Sequence, residues 1–186
     1  TDPFGRPTVR AHMHPGYESP DAVGPSGPVD PELSVVALQR PDGKPLALLA
    51  NYSMHYYGSP LLSSDYYGRF ASHVATLLGA DSTFVGIMSQ GTSGDLMWMD
   101  YGAPKRDIGY DAYAREIADE VAGLVRKIEW HDSAPLRMAE RTLPLSYRAP
   151  DERRLAWARD MAARLGDKLP QTLPEVYALE IGRAHV

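Results

Sequence analysis

Side chains that could form a functional site lie in three polar segments of the chain. Residues 51–55, NYSMH, end in His55, whose imidazole could bind a metal ion. Residues 63–68, SSDYYG, contribute the carboxylate of Asp65, and residues 90–95, QGTSGD, contribute two hydroxyls, a carboxylate and a glycine-rich turn. Taken alone, His55 could equally be a hydrogen-bonded structural residue, whereas backbone N–H groups of a glycine-rich turn can face an oxyanion. We therefore expect chemistry in this part of the chain.

Two of these segments directly follow apolar runs, which indicates that strands position them. Leu46 to Ala50 is continuously apolar and predicts a strand buried on both faces. Thr83 to Met88 repeats the pattern before the third segment. Because functional loops of α/β sheets follow the carboxyl ends of strands, we expect His55 to lie within reach of the 91–95 loop.

Further patterns predict the elements around these two strands. Asp42-Gly43, between the apolar runs 32–40 and 44–50, is typical of a hairpin. Ser63, Ser64 and Asp65 are typical of a helix N-cap. For Asp65, capping alone and a role in orienting site residues are equally open. His73, away from the apolar stripe of that helix, is expected at the surface.

The second half of the chain predicts helices and one additional strand. The apolar stripe from Tyr113 to Ile128 indicates a long amphipathic helix, and Pro150-Asp-Glu opens another helix that ends at Gly166. Residues 169–179 begin a further helix, and residues 136–147 predict an edge strand interrupted by Pro144. The predicted fold class is α/β, with a mixed sheet and flanking helices.

Composition excludes several classes of protein. The chain has 186 residues, 44% of them hydrophobic, and a net charge of −5, which argues against nucleic-acid binding. It contains no cysteine, so disulfides and thiolate metal sites are excluded. No apolar run approaches the length of a transmembrane segment. None of these observations fixes the cellular compartment.

Both ends of the chain require separate interpretation. Residues 1–31 contain seven prolines and predict an extended Pro/Gly-rich loop, in which His12 and His14 are either a metal pair or, as we favour, solvated side chains. Residues 180–186, EIGRAHV, can be back-translated to the start of a common sequencing adapter. We interpret them as read-through and expect the natural protein to continue beyond Leu179.

Three motifs in a fixed order carry a resemblance to a known family. They are Asn-x-x-x-His at 51–55, Ser-x-Asp-x-x-Gly at 63–68, and Phe84-Val followed by Gln90 and Gly94-Asp95. Together they resemble the N-terminal catalytic domain of the neutral/alkaline non-lysosomal ceramidases, over residues 30–100. The resemblance implies part of a larger zinc-hydrolase-like fold, with residues 32–179 as its central part. It further implies a secreted or periplasmic, zinc-dependent enzyme that cleaves amide bonds of N-acyl lipids such as N-acylsphingosines.

The resemblance also suggests which residues would form the site. His55 occupies the position of the family's second zinc-binding histidine, and the other zinc ligands would lie outside residues 1–186. The family's serine nucleophile position is Met97, so Ser93, Thr92 or a zinc-bound water would have to replace it. The candidate residues are His55 for the metal, Ser93 and Asp95 for catalysis, and Asn51, Gly91, Thr92 and Gly94 for substrate binding.

Two other interpretations remain open. The chain could be a non-catalytic relative that uses the same groove to bind a ligand, and Met97 supports this. It could also be an α/β domain without a metal.

Overall fold

The computed structural model describes residues 6–9, 11–12, 14–146 and 149–183. These residues form two compact units, which are described separately. One unit lies within Arg10–Asp132, and the other lies within Ser133–Val186 together with Thr1–Val9. The three motifs all belong to the first unit.

The first unit contains a mixed three-stranded sheet in the order β1-β2-β3, formed by β1 (Leu33–Gln39), β2 (Pro45–Tyr52) and β3 (Val85–Gln90). The pair β1–β2 is antiparallel, and β2–β3 is parallel. As predicted, Asp42 and Gly43 form the turn of the hairpin: Gly43 has φ +81°, a conformation that favours glycine. The predicted α/β class, with a mixed sheet and flanking helices, is confirmed.

Helices α1 (Asp65–Leu77) and α2 (Tyr110–Val125) pack together and cover one face of the sheet. Helix α1 is the crossover that parallel strands β2 and β3 require. Alternate residues of the strands meet the apolar stripes of the two helices. The core formed in this way includes Leu48, Ala50, Met54, Tyr66, Phe70, Val74, Met88, Tyr113, Ile117 and Val121.

The opposite face of the sheet is exposed, so the prediction that β2 is buried on both faces was wrong. Leu48 is 2% exposed but its neighbour Leu49 is 42% exposed, because both helices pack on the same face. The strand register aligns Leu49 with Val36 on β1 and Ile87 on β3, which are 61% and 49% exposed. We call this side, formed by Val36, Leu38, Leu49, Val85 and Ile87, the open sheet face.

The second unit contains helices α3 (Glu152–Leu165) and α4 (Leu173–Arg183), which pack against each other as two of the predicted helices. The Asp151 carboxylate accepts the N–H of Arg154 at 2.8 Å and caps α3. Gly166, at φ +57°, ends it. The predicted boundary at residue 180 falls inside α4 and remains a prediction, and residues 184–186 lie outside the described part of the chain.

The strand predicted at 136–147 is absent from residues 136–146, and Tyr147 lies outside the described residues. The whole of 136–146 is exposed and forms no secondary structure. A strand needs a neighbour for its N–H and C=O groups, and Pro144 lacks an N–H. No helix in the described part of the chain is long and apolar enough to cross a membrane.

Candidate functional site

The carboxyl ends of β2 and β3 bring the first and third motifs together. Since the two strands are parallel and adjacent, the segments that follow them leave the sheet at the same edge. The His55 N–H donates to the carbonyl of Leu96 at 2.9 Å, and the Gly91 N–H donates to the carbonyl of Tyr52 at 3.0 Å. The predicted proximity of His55 to the 91–95 loop is therefore present in the backbone contacts.

Gly91 lies in the tightest part of this contact. A Cβ added there would lie 2.5 Å from Ser53 Oγ and 3.2 Å from Asn51 Oδ1, so the close approach requires glycine. The Gly91 N–H is already bonded to Tyr52 and cannot serve an oxyanion. The N–H groups of Thr92, Ser93 and Gly94 donate to no atom of the described residues.

Ser53 is a buried hydroxyl at this edge, and no motif in the sequence marks it as a site residue. It is fully buried, and its Oγ donates to Asp30 Oδ2 at 3.0 Å and lies 3.4 Å from Thr92 Oγ1. Asp30 thus anchors the end of the Pro/Gly-rich segment at the site. A single serine after a strand gives no distinctive signal, and its partner lies 23 residues earlier in the chain.

Asn51, predicted to bind substrate, is engaged in joining the two strands. Its side-chain amide donates to Ser89 Oγ at 2.8 Å, and Ser89 Oγ in turn donates to the carbonyl of Ala50 at 3.2 Å. The amide N–H of Asn51 therefore stabilises the parallel pair that positions His55.

The His55 ring is partly exposed and has one nitrogen without a partner in the described residues. Its Nδ1 lies 3.4 Å from the carbonyl of Tyr56, and the two rings lie with centroids 4.3 Å apart. Within the described residues, no group of three or more His, Cys, Asp or Glu side chains could hold a metal ion. His55 could thus supply one ligand of a larger set.

His14 bonds Tyr101 Oη at 2.5 Å, and His12 is exposed.

The predicted catalytic residues Ser93 and Asp95 have no activating partner in the described part of the chain. Ser93 is half-buried, and no base among the described residues bonds its hydroxyl. Asp95 is exposed. Met97, at the family's nucleophile position, is half-buried. Within the described residues, the loop therefore supplies N–H groups without an acceptor but no serine–base pair.

The Asp65 carboxylate contacts more than the first turn of α1, and its role in orienting site residues stays a prediction. It is 7% exposed, and its carboxylate accepts the N–H groups of Tyr57, Gly58 and Ser59 at 2.7, 3.0 and 2.8 Å, in the segment that follows His55. It also accepts the N–H of Tyr66 at 2.7 Å. Burial alone would raise the pKa of Asp65, but these N–H bonds outweigh it and lower the pKa below its ordinary value.

Aromatic rings form the wall between the two site segments. Tyr57 and Trp98 stack with centroids 4.4 Å apart and planes 15° apart. Trp98 Nε1 donates to the carbonyl of Tyr57 at 3.2 Å, and the Tyr57 hydroxyl donates to the carbonyl of Ile108. Burial is the main cause that raises the pKa of Tyr57 and of Tyr66 above that of free tyrosine. Both phenols are therefore neutral at physiological pH.

His73, expected at the surface, is partly exposed and contacts the neighbouring helix α2. Its Nε2 is 3.2 Å from Asp111 Oδ1 on α2, and its side chain is 23% exposed. The apolar stripe of α1 alone does not show that α2 packs beside it, so the partner could not be foreseen.

Two cavities lie away from His55. The larger, of about 240 Å³, is at the hairpin end of the sheet and includes Gly43, Phe84 and Trp130 in its lining. The smaller, of about 70 Å³, lies beside Trp98 and Arg106. We locate the candidate site by its polar groups at the carboxyl edge, because neither cavity contains His55 or the 91–95 loop.

Comparisons with protein-family models, curated proteins and solved structures give no match to this chain. The resemblance to the ceramidases therefore rests on the three sequence motifs alone. The α/β class rests on the structure itself.

Proposed function

We propose that this chain is the central part of the catalytic domain of a zinc-dependent, ceramidase-like hydrolase that cleaves the amide bond of N-acyl lipids. The supporting observation is the contact between His55 and Leu96, next to the 91–95 loop, at the carboxyl edge of β2 and β3. The proposal includes a larger zinc-hydrolase-like fold, of which residues 32–179 are a part.

His55 is the metal ligand in this proposal. Its partly exposed ring has a nitrogen without a partner among the described residues, which fits a neutral imidazole bound to zinc. The proposal takes three further protein ligands from outside the described residues and keeps one position of the zinc open for water. When bound, zinc would polarise the acyl carbonyl and activate water.

The 91–95 loop would stabilise the developing negative charge on the acyl oxygen. The N–H groups of Thr92, Ser93 and Gly94 have no acceptor among the described residues and are the donors available for this role. Asp95 is exposed and could accept a proton. Ser93 lacks a base among the described residues, so we favour water over Ser93 as the nucleophile.

Zinc content tests the role of His55. In the full-length protein, His55→Ala should lower bound zinc from about one equivalent to well below one, because a four-ligand site loses one ligand. His12→Ala, which removes another exposed histidine of the same unit, is the control and should leave the zinc content unchanged. Unchanged zinc in His55→Ala would leave this residue with a structural role only.

A second candidate function is ligand binding without hydrolysis. The observation that favours it is Met97, a thioether at the position of the family's nucleophile. A panel of acyl amides and esters, assayed with the full-length protein, separates the two. Turnover that persists in Ser93→Ala and is lost on zinc chelation supports hydrolysis with water as nucleophile. No turnover with any substrate favours the binding function.

A further inference from the structure

We propose that Asp65 is a positioning residue for His55, acting through the backbone of residues 57–59. Its importance for zinc binding rests on the function proposed above. Its effect on the His55 ring does not depend on that function.

The Asp65 carboxylate accepts hydrogen bonds from a concave group of backbone N–H donors. Three consecutive N–H groups, from Tyr57, Gly58 and Ser59, converge on it, and the Tyr66 N–H completes the set. Successive backbone N–H groups of this kind form anion-binding nests, and bonds to a charged acceptor are stronger than bonds to a neutral one. In this chain the anion bound by the nest is the Asp65 carboxylate.

The backbone angles show that this arrangement is specified by the sequence. Asp65 has φ +53°, a left-handed conformation in which Asp and Asn are enriched among non-glycine residues. Gly58, in the middle of the three donors, has φ +108°, which favours glycine. Both residues therefore suit the turn that directs the N–H groups towards one carboxylate.

Two hydrogen bonds fix the short backbone segment from His55 to Tyr57, and Asp65 accepts one of them. On one side, the His55 N–H is fixed by the carbonyl of Leu96 at 2.9 Å. On the other, the N–H of Tyr57, two residues later, is fixed by Asp65 at 2.7 Å. The Tyr57 ring is also stacked on Trp98. Loss of the carboxylate would remove the hydrogen bond from Tyr57, while the bond from His55 to Leu96 would remain.

Asp65→Asn isolates this effect without changing side-chain size or the tolerance for positive φ. Asp65 Oδ1 accepts from Tyr57 and Tyr66, and Oδ2 accepts from Gly58 and Ser59. An amide NH₂ in place of either oxygen would face two N–H donors and leave them without an acceptor.

Asp81→Asn is the matched control. The Asp81 carboxylate also accepts a nearby backbone N–H, from Thr83 at 2.9 Å, and its pKa is also lowered, chiefly by the bonds from Thr83. However, it lies before β3, at the opposite end of that strand from the 91–95 loop. The control thus removes a similar charge from a turn that does not hold His55.

The experiment measures zinc affinity and the ¹H–¹⁵N signals of the His55 ring in the full-length wild type and both variants. We expect Asp65→Asn to weaken zinc binding about 10- to 100-fold, the usual effect of losing a group that orients a metal ligand. It should also shift the His55 ring signals, while those of His73 stay in place. Asp81→Asn should do neither. If Asp65→Asn and Asp81→Asn agree within twofold in affinity and neither moves the His55 signals, the proposal is wrong.

Two further outcomes are distinguishable. If the wild type binds no zinc, the proposed function fails, and the ring signals alone decide the positioning role: a His55 shift confined to Asp65→Asn supports it, and no shift overturns it. If Asp65→Asn does not fold, Gly58→Ala replaces it, since a side chain at φ +108° strains the same turn while the carboxylate remains. The same zinc and ring-signal criteria then apply.

Discussion

Gly91 is the point at which the two segments of the candidate site come closest. The space available there is set by Ser53 Oγ, which is fully buried and held by Asp30. Moving the hydroxyl away from residue 91 would disturb its bond to Asp30 and its contact with Thr92 Oγ1. A side chain at residue 91 would therefore push the 91–95 loop away from the strand end that carries His55.

Gly91→Ala should reduce the free energy of unfolding by about 1–3 kcal/mol, the usual penalty for an atom added to a filled space. Gly94→Ala is the control in the same loop, because a Cβ there meets nothing within 4 Å, and it should change the free energy by less than about 0.5 kcal/mol. Urea unfolding followed by circular dichroism measures both. Equal effects of the two substitutions would show that the contact with Ser53 does not determine the cost of a side chain at residue 91.

The sequence predicted that the segments after β2 and β3 meet, but it did not predict their contacts. His55 and the 91–95 loop could be placed at one edge because each follows an apolar run, and adjacent parallel strands end together. The Ser53–Asp30 bond and the donors to Asp65 could not be foreseen. These contacts depend on the path of the chain after β2, and the local pattern of apolar residues does not predict that path.

At the scale of the elements, the sheet has two unequal faces. Leu48 and Leu49 are adjacent residues of the same strand, yet only Leu48 meets the helices. The apolar run 46–50 predicted the strand correctly, but its burial on both faces required a second layer. Within the unit Arg10–Asp132, helices α1 and α2 pack on the same face of the sheet.

Leu48→Ala and Leu49→Ala form a matched pair of equal chemistry. Leu48→Ala should lower the free energy of unfolding by about 2–5 kcal/mol, because it leaves a cavity beneath α1 and α2. Leu49→Ala should cost less than about 1 kcal/mol, because its side chain already meets solvent. Urea midpoints of the two variants compare them directly. A cost for Leu49→Ala as large as that for Leu48→Ala would mean that the open sheet face is covered in solution.

Helices were predicted more reliably than the last strand for a physical reason. A helix such as α3 satisfies its own backbone groups and has local start and stop signals, here Asp151 and Gly166. A strand depends on a neighbour that may be distant in sequence. Residues 136–147 have partial alternation, but the pattern cannot show whether a neighbour exists.

At the scale of the whole molecule, acid should weaken the fold through the carboxylate of Asp65. Its pKa in the folded chain is lowered overall, so the folded state favours the charged form more than the unfolded state does. The resulting stability is present above the unfolded pKa of about 3.9 and is lost as the pH falls through the folded value.

This linkage predicts how Asp65→Asn compares with the wild type. The difference in unfolding free energy should be constant from pH 7 to about pH 5 and should narrow below about pH 4. There Asp65 of the unfolded wild type binds a proton that the folded state does not yet bind. Urea titrations at a series of pH values measure the difference. If it stayed constant down to pH 2, the charge of Asp65 would not be the source of its stabilisation.

The segment 131–146 should be the first part of the chain that a protease cuts. It is exposed throughout and has no helix or strand, whereas Arg115 lies within α2. Brief trypsin treatment should therefore cleave after Arg137 or Arg141 before it cleaves after Arg115. Mass spectrometry identifies the sites, and an Arg137→Gln/Arg141→Gln double variant should delay the first cut. Early cleavage after Arg115 would contradict this assignment.

The open sheet face also affects how folding of this chain can be measured. Its apolar side chains, Val36, Leu49 and Ile87 among them, lie in aligned rows on a sheet. Fluorescent dyes that report denaturation bind such surfaces, so the native chain should already give a strong signal before heating. A high starting fluorescence would then come from a properly folded sheet. Intrinsic probes such as the stacked Trp98 are the better choice for following its unfolding.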